Sequence, residues 1–369
     1  MGHGRNEGMT PMERMAMAFV VRRWAGAVCV AALVLVVGHA ARADEPAPAK
    51  SHRTDWFHDA GWGVFTHYLS GIALKGQPQT VDAWNDVVDR FDVNGLADQL
   101  ASVGAKYYVI TIGQNSGYYI APNATYDKIV GISPSKCAKR DLVSDLYAAL
   151  HLKGIRLMVY LPSGAPDRDP EAMKALGWKN GKYPLWKYPK GGPNGGDDRL
   201  VGFQKKWQAI IRDWSMRWGT KVCGWWFDGC YFPIAMYEHP DPPNFESFAA
   251  AARAGNPDSI VAFNPGVQNP ITCLTPVEDY TAGEINDAAK VVCPGRWLDG
   301  AQYHMLSFLG PYWAQSPPRY TNQQVIDITR GITQKGGVVT WDVPIQPSGL
   351  IAQPFIRQLN ALHDGLANK

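Results

Sequence analysis

Two carboxylates in this sequence sit where an acid is hard to explain as ordinary surface. Asp228 lies in VCGWWFDGCYF, at the end of the most apolar run of its region, and Glu284 ends VEDYTAGE. Burying a charge without a partner is costly, so an acid in that position implies either a structural partner or a working site. Two acids across a sugar are what glycoside hydrolysis uses. One attacks or steers water, and the other protonates the leaving oxygen. Trp226 stands two residues before Asp228, so on a strand both point to the same face. An indole wall beside an acid suits the apolar face of a sugar ring. Glu278, in the same segment as Glu284, is the second candidate for the proton donor.

Such side chains have to be held by a scaffold, and the chain alternates as a scaffold of βα units does. WGVFTHYL reads as a strand and VNGLADQLASVG as a helix. KYYVITIG, RDLVSDLYAALHLKG and IRLMVYLP follow as strand, helix and strand. Then come the helix FQKKWQAIIRDWSMRWG, the strand CGWWFDG and the helix FESFAAAARAGN. SIVAFNPG and VEDYTAGE read as strands, QQVIDITRGITQKG as a helix, GVVTWDVP as a strand and IAQPFIRQLNALHDGL as the last helix. One more strand placed within 297–308 brings the count to eight. That predicts a single (β/α)8 barrel over residues 55–369, with no C-terminal β-sandwich. No GxGxxG follows a strand, and KGGPNGGDD lacks the Lys-Ser/Thr ending of a P-loop, so nucleotide folds are disfavoured. The glycine-rich stretch reads as an insertion over the barrel mouth.

In a barrel the site lies at the C-terminal strand ends. The polar residues there are His67, Gln114, Asn115, Tyr160, Asp228, Asn264, Asp279, Glu284, Trp341 and Asp342. Asp228 and Glu284 are the catalytic candidates. His67, Gln114, Asn115, Tyr160, Trp226 and Trp341 are the substrate-binding candidates. His67 has no second His or Cys at ligand spacing, so a sugar hydrogen bond or a core role is expected, with no metal and no cofactor. Arg296 and Arg319 either bind substrate or pair with acids.

The 369 residues are 46% hydrophobic and 19% charged, with a net charge of +3 and 14 tryptophans. No basic run argues for nucleic acid. Arg22 and Arg23 precede WAGAVCVAALVLVVGHA, a run short for a membrane span, which ends in ARA. Residues 1–43 therefore read as a secretory signal and 44–54 as a linker, giving a secreted or periplasmic protein with no membrane contact after cleavage. Five cysteines follow residue 43. Cys273 and Cys293 flank one loop region and are the expected disulfide pair. Asn123 lies in an Asn-Ala-Thr sequon.

Taken together, these segments resemble the alpha-L-fucosidases, glycoside hydrolase family 29. FHDAGWGVFTHYLSG is similar to the family's first barrel strand, which usually ends in His-Trp-Gly; His67 matches, and Tyr68 replaces the Trp. GWWFDG resembles the segment holding the family's nucleophile, and the match falls on Asp228. GITQKGGVVTWDVPIQPSGLI resembles its final strand and turn. The resemblance spans most of residues 55–350 and implies a retaining mechanism acting on terminal alpha-L-fucose or a related sugar in a glycan. Departures are visible. Where the family carries Lys-His-His-Asp-Gly-Phe, this chain has Gly113-Gln114-Asn115-Ser116-Gly117-Tyr118. Asp342 replaces an Asn, and Trp297-Leu298-Asp299 replaces a Trp-Glu pair. These leave two alternatives open: a glycosidase for another sugar, and a catalytically silent carbohydrate-binding barrel.

Overall fold

The computed structural model describes residues 50–178, 199–231 and 237–367. The stretch read as a signal (1–43), the first part of the linker and the glycine-rich insertion lie outside those residues. Seven parallel strands form one curled sheet: β1 Trp62–Thr66, β2 Tyr107–Thr111, β3 Arg156–Pro162, β4 Gly224–Asp228, β5 Ile260–Phe263, β8 His304–Phe308 and β9 Val338–Asp342. Their order is β5-β4-β3-β2-β1-β9-β8. The two-residue strands β6 Trp297–Leu298 and β7 Ala301–Gln302 pair antiparallel beside it. The fold is a (β/α)8-type barrel.

The sixth position of the ring is filled by residues 279–285, which make no regular ladder. On the β5 side, the Asp279 N–H donates to the Val261 carbonyl at 2.8 Å. Carboxylates complete that edge: the Val261 N–H donates to Asp279 Oδ2 at 2.8 Å, and the Phe263 N–H to Glu278 Oε2 at 3.2 Å. On the β8 side, the Leu306 N–H donates to the Gly283 carbonyl at 2.9 Å, and the Ile285 N–H to the Leu306 carbonyl at 3.0 Å. The strand expected across VEDYTAGE is therefore an extended bridging segment, because acid side chains take the place of part of its backbone pairing. The strand expected within 297–308 is β8.

Two buried layers follow from the two-residue period of the strands. Phe65, Tyr107, Val109, Met158, Tyr160, Trp226, Ala262 and Leu306 face inward and fill the barrel. Val64, Ile110, Val159, Trp225, Phe263 and Trp341 face outward against the helices. The helix Val201–Trp218 contributes Trp207, Trp214 and Trp218 to that outer layer, all buried. Most tryptophans located in the described chain are therefore packing residues.

Residues 50–54, read from sequence as the end of a linker, belong to a helix, Lys50–Ala60. Only Trp56, Phe57 and Ala60 mark it as apolar, so no helical period announces it. Phe57 is fully buried against Tyr107, Tyr280 and His304, plugging the floor of the barrel. Beside it, Arg53 and Arg253 donate to the two oxygens of fully buried Asp279, at 2.9 and 2.5 Å. A buried carboxylate needs such partners, so Asp279 is a floor residue and not a rim residue. His304 is likewise a core histidine. Its ring nitrogens pair with Thr340 Oγ1 at 2.7 Å and the Thr281 carbonyl at 2.9 Å, and burial pushes its pKa down to about 4.

Candidate active site

At the C-terminal strand ends a cavity of about 460 Å³ opens, lined among others by Phe65, His67, Gln114, Tyr160, Trp226, Asp228 and Glu284. Six of the eight residues singled out from sequence thus meet in one place. Asp228 ends β4 with Trp226 on the same inward face. The Trp226 indole N–H donates to the Ala282 carbonyl at 2.9 Å, and its ring stacks on Tyr160 at 5.3 Å between centroids. These two rings form the wall beneath the acid.

From the described residues, Asp228 accepts four hydrogen bonds. Oδ1 takes the Gly229 N–H at 2.8 Å, the Asn264 amide at 2.9 Å and the Tyr231 hydroxyl at 3.2 Å. Among the described residues, Oδ2 takes only the Tyr160 hydroxyl, at 2.5 Å. Burial, with Asp228 itself, pushes the Tyr160 pKa far up, so this hydroxyl remains a donor. It accepts in turn from the Gln114 amide at 2.6 Å. With one donor against three, Oδ2 is the less satisfied oxygen and the better placed to react.

Glu284 reaches the cavity because of Gly283. That residue has φ +65°, and a Cβ there would lie 2.0 Å from the His304 carbonyl oxygen. Only glycine holds such a turn at this close approach. Glu284 Oε2 accepts from Asn264 Nδ2 at 2.6 Å. Its pKa is raised above the ordinary 4.5, chiefly by burial; the Asn264 hydrogen bond opposes this, Asp228 adds to it and His67 opposes it. A carboxyl group whose pKa is raised, beside a second one that gathers hydrogen-bond donors, is the division of roles that acid–nucleophile chemistry requires.

His67 follows β1, and its Nδ1 pairs with Asp342 Oδ1 at 2.8 Å. Asp342 is buried, and its Oδ2 accepts the Ala314 N–H at 2.7 Å. One carboxylate therefore fixes both a cavity histidine and the loop that carries Trp313 into the cavity. Ala314 sits at φ +54°, a conformation that costs a non-glycine residue roughly 1–2 kcal/mol; the Asp342 hydrogen bond helps hold it.

Other expectations are corrected. Trp341 is fully buried on the outer face, its indole donating to Thr329 Oγ1 at 3.0 Å. Since neighbours alternate, Trp341 and Asp342 cannot both face the cavity. The Asn115 side chain does not line the cavity; its carbonyl accepts the Arg168 N–H at 2.8 Å. Glu278 is fully buried, accepting from the Leu274 and Phe263 backbones, which removes it as a proton donor to substrate. Of the two alternatives left open for the arginines, Arg296 takes the pairing with an acid, Asp55, while Arg319 lies over the Phe308 and Tyr320 rings. Asn123 is buried as the N-cap of Ala124–Val130, its Nδ2 held by the Ile210 carbonyl, so its sequon is inaccessible in the fold. No disulfide joins Cys273 to Cys293; their thiols turn to the Thr275 and Gly295 carbonyls.

Sequence reading did not assign a site role to Tyr231, Arg168, Tyr312, Trp313 or Asn264. The first four come from loops without periodicity. Asn264 was visible at the end of β5, but its two partners depend on the irregular sixth position. Among the described residues, no group of three or more His, Cys, Asp or Glu is arranged to hold a metal, and no helix is long and apolar enough to cross a membrane.

The profile of the alpha-L-fucosidase family matches residues 78–367. Among solved structures, the endo-fucoidan hydrolase MfFcnA4 from glycoside hydrolase family 107 is similar, with a TM-score of 0.64 at 17% identity over 86% of this chain. The chain spans 54% of that protein's length. Alpha-L-fucosidase AlfC from Lactobacillus casei gives 0.56 at 14% identity, over 86% of this chain and 99% of that one. Alpha-L-fucosidase isoenzyme 1 from Paenibacillus thiaminolyticus gives 0.55 at 16%, over 85% and 75%. At these identities the structural likeness is one of fold. No curated protein sequence matches.

Proposed function

The chain belongs to the alpha-L-fucosidase family, and from that premise we propose a secreted, retaining glycoside hydrolase that removes terminal alpha-L-fucose or a closely related sugar from a glycan. The observation that carries this is the approach of the two carboxyl groups. Asp228 Oδ1 and Glu284 Oε2 bond the same nitrogen at 2.9 and 2.6 Å, so these two oxygens are at most 5.5 Å apart. Retaining sites hold their carboxyl groups about 5–5.5 Å apart, whereas inverting sites leave roughly 6.5–9.5 Å for a water.

In the first step Asp228 Oδ2 bonds the anomeric carbon while the glycosidic C–O bond breaks. The bonding pair stays on the leaving oxygen, which takes the Glu284 proton. In the second step Glu284, now a carboxylate, removes a proton from water. The water oxygen bonds the anomeric carbon, and Asp228 leaves with its electron pair. Trp226, Tyr160 and Phe65 offer apolar surface to the ring, and His67, oriented by Asp342, offers a hydroxyl partner. The apolar lining of Leu69, Ile72 and Leu306 suits a deoxy sugar's methyl group.

A related neutral or deoxy sugar is the second reading, favoured because Gln114 has its amide engaged by Tyr160. The silent barrel has no comparable support, since both carboxylates are present and face one cavity. Export rests on the character of residues 1–43. The test is Asp228→Ala assayed on 4-nitrophenyl alpha-L-fucoside. Turnover is expected to fall by several orders of magnitude, with azide restoring product of inverted configuration. Activity near that of the wild type would overturn the reading.

A further inference from the structure

Asn264 is buried to 0% exposure between the two carboxylates, and every polar atom of its side chain is committed. Its amide nitrogen donates one hydrogen to Asp228 Oδ1 at 2.9 Å and the other to Glu284 Oε2 at 2.6 Å. Its amide oxygen accepts the Gly266 N–H at 3.0 Å, which fixes the amide against a flip. The backbone is pinned too: its N–H donates to the Phe227 carbonyl at 2.7 Å, and its carbonyl accepts from Cys230 at 2.9 Å.

We propose that Asn264 is a positioning residue that divides its two amide hydrogens between the reacting carboxylates and biases the transferable proton of Glu284 toward Oε1. This rests on the roles assigned to Asp228 and Glu284 above. An amide N–H2 can only donate, so Oε2 must present a lone pair to it in either protonation state. The carbonyl oxygen of a carboxylic acid is a stronger acceptor than its hydroxyl oxygen, so this contact favours Oε2 as the carbonyl and Oε1 as the proton carrier; Oε1 makes no hydrogen bond among the described residues. When the first step proceeds, negative charge leaves Asp228 and appears on Glu284. The same nitrogen faces both, so its hydrogen bonding follows the charge without reorientation. Donors held in place where charge develops lower a barrier more than ones that must turn to meet it. The raised pKa of Glu284, opposed by the Asn264 hydrogen bond, agrees with this geometry.

The experiment compares wild type with Asn264→Leu, which matches the shape and removes the donors, and with Asn264→Ser, which is smaller and keeps a hydroxyl. Glu284 is titrated through its carboxyl ¹³C signal, assigned by its loss in Glu284→Gln; this readout needs no substrate. Asn264→Leu is expected to move the Glu284 titration to higher pH, with Asn264→Ser between it and wild type. The alkaline limb of kcat/KM on 4-nitrophenyl alpha-L-fucoside moves the same way, and kcat/KM falls about 10–100-fold, the scale of an ångström's misplacement. If neither variant folds, the wild type decides. Both Asn264 side-chain protons should exchange slowly, and one should shift as Glu284 titrates. An unmoved Glu284 titration, or Asn264 protons indifferent to it, overturns the proposal. If Glu284→Gln keeps full activity, the catalytic roles fall, and the titration still judges Asn264 separately.

Discussion

Gly283→Ala tests how Glu284 is aimed. The added Cβ would lie 2.0 Å from the His304 carbonyl oxygen, against a practical minimum of 3.0 Å, so about 1 Å of movement is forced. The residue must also hold φ +65°, at roughly 1–2 kcal/mol for alanine. The movement stretches the hydrogen bonds from Leu306 to Gly283 and from Ile285 to Leu306, each contributing about 1 kcal/mol. Together these give a destabilisation of about 2–4 kcal/mol, which for a domain of this size lowers Tm by roughly 3–6 °C. Activity should suffer more than stability. Glu284 follows directly, and an ångström's displacement of a reacting group costs on the order of 100-fold. Calorimetry and kcat/KM on an aryl fucoside measure both. A variant that melts with the wild type and stays within about 3-fold in rate would refute the claim that Gly283 sets the position of the acid.

Asp342→Ala should release both His67 and Ala314, lowering kcat/KM by about 10–100-fold, the effect of losing hydrogen bonds to a charged group; an unchanged kcat/KM would separate the dyad from the reaction. For Glu284, whose folded-state pKa is raised above 4.5 mainly by burial, the stability it contributes is fully present below pH 4.5 and lost as pH rises through the folded value. Glu284→Gln should therefore melt above wild type at neutral pH, with the advantage shrinking toward pH 4; a pH-independent difference would contradict the burial argument. Peptide mapping under non-reducing conditions should find no Cys273–Cys293 linkage, and finding one would contradict the described packing.

The legible part of the fold was the part governed by period. Strands buried on both faces and amphipathic helices stated the barrel, and the alternation from Trp226 to Asp228 placed both in the cavity. The same rule, applied to β9, excludes Trp341, because Asp342 already faces inward. The helix Lys50–Ala60 was hidden because its one fully buried ring, Phe57, is helped only by the partly buried Trp56 and Ala60, too few to set a helical period. The sixth position was hidden because Asp279 and Glu278 replace backbone acceptors with side chains, which no strand period encodes. Asn264 looked like any polar strand end. Its meaning comes from two carboxylates brought to it by β4 and by the turn at Gly283.

The central claim is that Asp228 forms a covalent bond to the sugar. The most direct measurement is incubation with a 2-deoxy-2-fluoro-L-fucosyl fluoride followed by mass spectrometry of the peptides. The account predicts one adduct per chain, on the peptide carrying Asp228, and none in Asp228→Ala. A stoichiometric adduct on another residue, or turnover giving inverted product with no adduct, would contradict it.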